Sequence, residues 1–388
     1  MNSTVRVYFD YAATTPVDDR VLDAMLPYFN NTFGNPSSIH YYGQQAEAAV
    51  EDARESLADI LHSKPQEIVF TACGTESDNL ALRGISLAER AKRGANHILI
   101  SPVEHHAVSH TAEQLRDEFG FELEILPVDQ YGIVDPLQLA DRVRRETAIV
   151  SVIYANNEIG TVNPIADLGK VCQEAGIPLH TDAVQAAAYL PIDTQRLEVD
   201  FLSIGAHKFY GPKGVGGLFC REKKPFLSTM TGGGQESGRR AGTHNVPLIV
   251  GMASALRIAQ DERQVRIEYL QPMRDYLIGR VLEDIPDAQL TGHPTQRLPN
   301  HASFVFEHLD GNALLTALDM AGFACSSGSA CKTGDPEPSD VLTALGLSRE
   351  WALGSLRVTL GIHTTQQEID EFLHILPSLV EKVRALSN

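Results

Sequence analysis

The chain has 388 residues, 43% hydrophobic and 21% charged, and its 50 Asp and Glu against 32 Lys and Arg leave a formal net charge of -18. That acidity argues against a surface that coats nucleic-acid phosphates or anionic lipid. The N-terminus MNSTVRVYFDYAATTP lacks a secretory signal, no segment nears the roughly 18 unbroken apolar residues of a membrane helix, and five cysteines make an odd, sparse set, so a reducing cytoplasm is expected.

The length exceeds what one core usually serves, which predicts a large and a smaller domain. Short apolar runs predict strands at Glu67–Thr71, His97–Ser101, Glu122–Val128, Ala148–Tyr154, Pro178–Thr181, Asp200–Ile204 and Gly216–Cys220. Amphipathic stretches between them predict helices at Thr75–Lys92, His106–Glu118, Asp135–Arg144 and Ile165–Ala175. This alternation implies a mainly parallel sheet covered on both faces. After a glycine-rich loop, Gly232–Thr243, one long helical stretch is expected from Val246 to Leu282. Strand-like His301–Phe306 and Gly354–Leu360, a helix at Asn312–Met320 and a last helix at Gln366–Arg384 complete an α+β unit. The expected division is residues 15–261 for the large domain, with 1–14 and 262–388 forming the small one.

Three segments carry candidate chemistry. In TACGTESDN, Thr71–Asn79, a strand gives way to a helix start at Gly74 and Thr75, where free N–H groups suit an anion; the same residues also suit a plain cap. In HTDAVQ, Asp182 follows a strand, where a buried carboxylate needs a cationic or hydrogen-bonding partner. In SIGAHKFYGPKG, Lys208 follows an apolar strand and precedes a Gly-Pro turn, a place that suits either an ordinary solvated lysine or one that loses its proton easily and condenses with an aldehyde. Asp182 and Lys208 are one strand apart, so both fit one crevice at the carboxyl ends of the strands.

With these stand YFDYAATTP at Tyr8–Pro16, GNPSS at Gly34–Ser38, EHHAV at Glu104–Val108, NNEIG at Asn156–Gly160 and SSGSAC at Ser326–Cys331. On these motifs, over nearly its whole length, the chain resembles fold-type I pyridoxal-phosphate enzymes of the class V aminotransferase group. It is most similar there to cysteine desulfurases of the NifS/IscS type. The resemblance implies an α/β fold-type I transferase with a mainly parallel seven-stranded sheet, bound pyridoxal 5'-phosphate, and a homodimer. By the same resemblance Lys208 tethers the cofactor and moves protons, Asp182 pairs with the pyridine nitrogen, and His105 stacks on the ring. Asn157 and Gln185 neighbour the ring hydroxyl; Gly74, Thr75 and His207 contact the phosphate, and Thr243 reaches it from the second subunit. Arg357, helped by Asn35, grips the carboxylate of L-cysteine. Cys331, in a small polar stretch, takes the sulfur as a persulfide and passes it to an acceptor protein.

The sequence departs from the family pattern at Gly205, where relatives carry a hydroxyl residue on the phosphate, and at Cys325, where they carry a small apolar residue. Cys325 is a packed strand-end thiol, a sulfur relay or a disulfide partner of Cys331. The chain ends at Asn388, short of the tail that many relatives use to hold a scaffold protein, which leaves the acceptor open. Rival expectations are another class V enzyme without a need for Cys331, a selenocysteine lyase, and metal binding at His106 and His110, for which no third ligand is evident.

Overall fold

The computed structural model describes residues 6–328 and 337–387. In chain order its strands are β1 (Val7–Tyr8), β2 (Ile68–Thr71), β3 (His97–Ile100), β4 (Glu122–Ile125), β5 (Thr147–Ser151), β6 (Leu179–Asp182), β7 (Phe201–Gly205), β8 (Gly216–Cys220), β9 (Ala288–Leu290), β10 (His301–Phe306), β11 (Phe323–Ala324) and β12 (Ser355–Thr359). Seven of them form one sheet in the order β2-β8-β7-β6-β5-β3-β4. All seven anticipated strands lie in it, and only β8 runs against its neighbours.

The inner strands are apolar on both faces, because helices cover both. Ile98, Ile149, Phe201 and Leu218 pack into one cluster, while the adjacent Leu99, Val150, Leu202 and Phe219 pack into another on the opposite face. The parallel direction carries Ile100, Ser151, Asp182, Gly205 and Thr71 to the same edge. Every segment with candidate chemistry leaves the sheet at that edge.

Two expectations change. The helical stretch after residue 246 is two helices, Val246–Asp261 and Arg263–Asp284, broken at Glu262 with φ -90° and ψ 1°. A helix at Tyr41–Ile60 was not anticipated; Ala46, Ala49, Val50, Ala53 and Leu57 form its buried stripe, a pattern weakened by small alanines. It packs against Val246–Asp261. The remaining strands pair as β1 with β11 and as β12-β10-β9, so the chain's two ends meet in small sheets beside the large one. Among the described residues no helix is long and apolar enough to cross a membrane.

Candidate active site

At the carboxyl edge of the sheet lies a cavity of about 270 Å³. It is lined by Gly74, Thr75, His105, Asn157, Asp182, Gln185, His207, Lys208 and Arg357, nine of the residues singled out from sequence. Gly205 adjoins it: a methyl group built there would lie 3.4 Å from the Gly74 nitrogen. Asn35 and Thr243 are not brought there by this chain. Asn35 is exposed and caps its own turn by accepting from the Ser37 nitrogen at 3.0 Å, and Thr243 is exposed on the loop before Val246–Asp261. Cys331 lies outside the described residues.

The lysine is set up to lose its proton. Lys208 Nζ donates to the carbonyls of Ala12 at 2.6 Å and Ala13 at 2.8 Å. Burial lowers its pKa to about 8, with Arg357 adding repulsion and Asp182 and Asp10 opposing. His207 is lowered to about 4 by burial and by Lys208 and Lys213, so its ring is neutral at pH 7; its Nδ1 lies 3.2 Å from Thr14 Oγ1. Burial also lowers His105, against the pull of Asp182; its Nδ1 accepts from the Ala107 nitrogen at 3.1 Å and caps the helix His106–Phe119.

Asp182 is 4% exposed, and its Oδ1 accepts from the Val184 nitrogen at 2.8 Å. Two further acids lie near it, within motifs already quoted but given no role from sequence. Glu104 accepts from the Ile153 nitrogen at 2.7 Å and is raised to about 8 by burial. Asp78 is 1% exposed and raised by burial and by Asp182, and its Oδ1 sits 3.6 Å from His180 Nε2. Burial raises Asp182 as well, but His105 and Lys208 pull it back, whereas no cation lowers Glu104 or Asp78.

The Arg357 side of the cavity is built across the chain. Arg357, on β12, pairs with Asp10 at 2.9 Å and donates to the Asn157 carbonyl at 3.0 Å, which His301 Nε2 also contacts at 3.0 Å. Its Nε is buried without a hydrogen-bond partner among the described residues. Asp10, the anion that orients this guanidinium, was missed because nothing near it in sequence announces a pairing with residue 357. Cys325 packs on the core just after β11, and burial pushes its thiol pKa up, a poor setting for a nucleophile. His106 and His110 stack at 4.7 Å, and no cluster of three metal-ligating side chains exists among the described residues.

The model of the class-V aminotransferase family matches residues 7–372. The chain belongs to that family. Within it, the chain is 45% identical to cysteine desulfurase IscS of Dictyoglomus turgidum, over 98% of this chain and 96% of that one. Among solved structures it resembles a NifS-like protein with a TM-score of 0.90 and 36% identity, covering 97% of this chain and all of that one. It also resembles SspA in complex with cysteine, with a TM-score of 0.79 and 34% identity, covering 92% of this chain and 100% of that one.

Pyridoxal 5'-phosphate is the cofactor of this family, and the cavity fits it. The helix Gly74–Arg93 opens on the cavity without a side-chain cap, a start suited to a phosphate. A methyl at Gly74 would come within 2.7 Å of a Val184 side-chain methyl, so a larger residue there would crowd the cavity wall. A depressed lysine for an aldehyde and a buried carboxylate for a pyridinium complete the set.

Proposed function

We propose that the protein is a cytoplasmic cysteine desulfurase, which converts L-cysteine to L-alanine and holds the sulfur as a persulfide on Cys331 before an acceptor protein takes it. The observation that carries this reading is a backbone pairing. Ser326 and Arg357 exchange hydrogen bonds of 3.3 and 2.7 Å, so the segment leading to Cys331 starts beside the arginine suited to a substrate carboxylate. The names of the relatives, and the cysteine bound to SspA, support the same substrate.

The roles in this reading are those the resemblance implies, and the shared cavity supports them. Gly74, Thr75 and His207 hold the phosphate with Gly205 beside it, Asp182 the ring nitrogen, His105 the ring face, and Asn157 and Gln185 the ring hydroxyl. Bound there, the cofactor supplies an aldehyde for the substrate amine and a ring that withdraws electrons. Arg357 orients the substrate carboxylate through a planar fork. Lys208 takes the proton from the substrate Cα and later returns one. The Cys331 thiolate attacks the substrate sulfur: an S–S bond forms, the C–S bond breaks, and its electron pair stays on carbon, which protonation converts to alanine. The persulfide then moves to an acceptor thiolate by exchange.

Residues 15–261 carry the cofactor in this reading, and 1–14 with 262–388 carry the Cys331 segment. A second copy completes the site by lending Thr243. An exposed aromatic patch supports such a dimer: Phe33 is 64% exposed and stacks on Tyr42 at 5.6 Å, with Tyr41 alongside. Replacing Cys331 with Ala tests the function. The variant is expected to keep bound cofactor and lose cysteine-dependent release of alanine and sulfide. Undiminished turnover would make the protein a different class-V enzyme.

A further inference from the structure

Arg357 reaches the cavity from β12, and its neighbour β10 carries a histidine with no role so far. The two strands are antiparallel, with Ser303 opposite Arg357 and His301 opposite Thr359. Residues two apart on a strand share a face, so His301 and Arg357 are diagonal neighbours on one face of the small sheet. Both side chains meet the same atom. The Asn157 carbonyl accepts from Arg357 Nη1 at 3.0 Å and is met by His301 Nε2 at 3.0 Å.

A carbonyl oxygen only accepts, so this contact places the His301 proton on Nε2. The other ring nitrogen, Nδ1, is buried and has no hydrogen-bond partner among the described residues. The ring is fully buried, and burial, with Arg297 and Arg357 nearby, holds its pKa well below the usual histidine range. The histidine therefore adds a donor beside Arg357 without adding a second positive charge.

The turn that presents this carbonyl is braced from both sides. Asn156 Oδ1 accepts from the nitrogens of Glu158 at 2.7 Å and Ile159 at 2.9 Å, and its Nδ2 donates to the Val103 carbonyl at 2.8 Å. From the small-sheet side, Arg297 donates to the Ile159 carbonyl at 3.1 Å and to the His301 carbonyl at 3.0 Å. The Leu298 nitrogen donates to the Gly160 carbonyl at 2.9 Å. Asn157 and Arg357 line the cavity, and His301 is not part of that lining.

We infer that His301 is a positioning residue, whose Nε2–H holds the Asn157 carbonyl where it receives Arg357 and so sets the guanidinium for the substrate carboxylate. This rests on reading Arg357 as the residue that grips that carboxylate. His301 touches neither substrate nor cofactor and moves no proton. It acts through Asn157 and Arg357.

The test compares holoenzyme of the wild type, Arg357→Lys, His301→Leu, His301→Phe and His301→Gln. Three quantities are measured: bound pyridoxal phosphate, kcat and KM for alanine formation from L-cysteine, and the Kd, by absorbance, of L-alanine and of L-alaninamide, which lacks the carboxylate. His301→Leu and His301→Phe remove the donor. Each is expected to raise KM and the L-alanine Kd roughly 3- to 10-fold, the effect of one neutral hydrogen bond. Both should keep kcat within about twofold and leave cofactor content and the L-alaninamide Kd at wild-type values. His301→Gln retains an N–H donor and should recover most of the loss. Arg357→Lys should raise KM and the L-alanine Kd further than either.

Wild-type KM and L-alanine Kd in the Leu and Phe variants, beside an impaired Arg357→Lys, overturn the inference. So does equal weakening of L-alanine and L-alaninamide, or a loss that follows loss of cofactor, since either marks a merely structural role. A His301→Gln variant no better than His301→Leu counts against it as well. Leu and Phe differ in shape, so a folding defect in one leaves the other to decide. Wild-type KM and Kd in Arg357→Lys would instead overturn the underlying reading of the arginine.

Discussion

Gly205→Ser should tighten cofactor binding. Position 205 ends β7 with φ -136° and ψ 120°, extended backbone that serine adopts without strain. A Cβ there would lie 3.4 Å from the Gly74 nitrogen, 3.6 Å from its Cα and 3.6 Å from Val184 Cγ1, which is ordinary contact. The side chain therefore fits beside the helix start that suits the phosphate. One added hydrogen bond to a charged group contributes about 1.5–3 kcal/mol, or roughly 10- to 100-fold in affinity. The assay strips the cofactor with hydroxylamine, titrates the apoprotein with pyridoxal phosphate, and follows absorbance. An unchanged Kd in a folded variant would refute the argument that glycine leaves a phosphate contact unmade.

Three further outcomes are expected. The neutral amine is the form that condenses with an aldehyde, so cofactor uptake by apoprotein should rise with pH through about 8, the value set by burial of Lys208, and level off above it; a rate flat across that range contradicts the assignment. Arg54 bonds Glu236 through both terminal nitrogens at 2.8 and 2.9 Å, and Glu236 is only 1% exposed, so Arg54→Met strands a buried charge and should cost about 3–5 kcal/mol in denaturant titration. Burial raises the Glu236 carboxyl, but hydrogen bonds from Arg54 and His244 outweigh it and hold the pKa at about 2. Its contribution to stability is therefore complete above about 4.5 and lost as pH falls through about 2, a loss that Arg54→Met should abolish. Cys325→Ser should leave sulfur transfer unchanged, since burial disfavours its thiolate; impaired transfer to an acceptor thiol would restore the relay.

The proposed pair of Lys208 and Asp182 was legible early because its signals are local. Lys208 and Asp182 each stand just past a short apolar run, and a parallel sheet sends all such positions to one edge. The helix Tyr41–Ile60 escaped notice because its stripe is mostly alanine, which barely raises the periodicity it creates. The break at Glu262 was equally invisible, since neither Gly nor Pro marks it and Glu262 and Arg263 are good helix formers.

What the sequence determined by itself was therefore a set of residue types at fixed spacings: the strand and helix alternation, the phosphate-suited helix start, the lysine and its acid partner. What only the tertiary structure decided was which distant residues meet. Asp10 reaches Arg357 across the chain, Asp78 and Glu104 collect near Asp182, and His301 and Arg357 share the Asn157 carbonyl. The physical reason is that such pairings are created by strand order and by β12 crossing back to the start of the chain, and no local preference of any one segment encodes them.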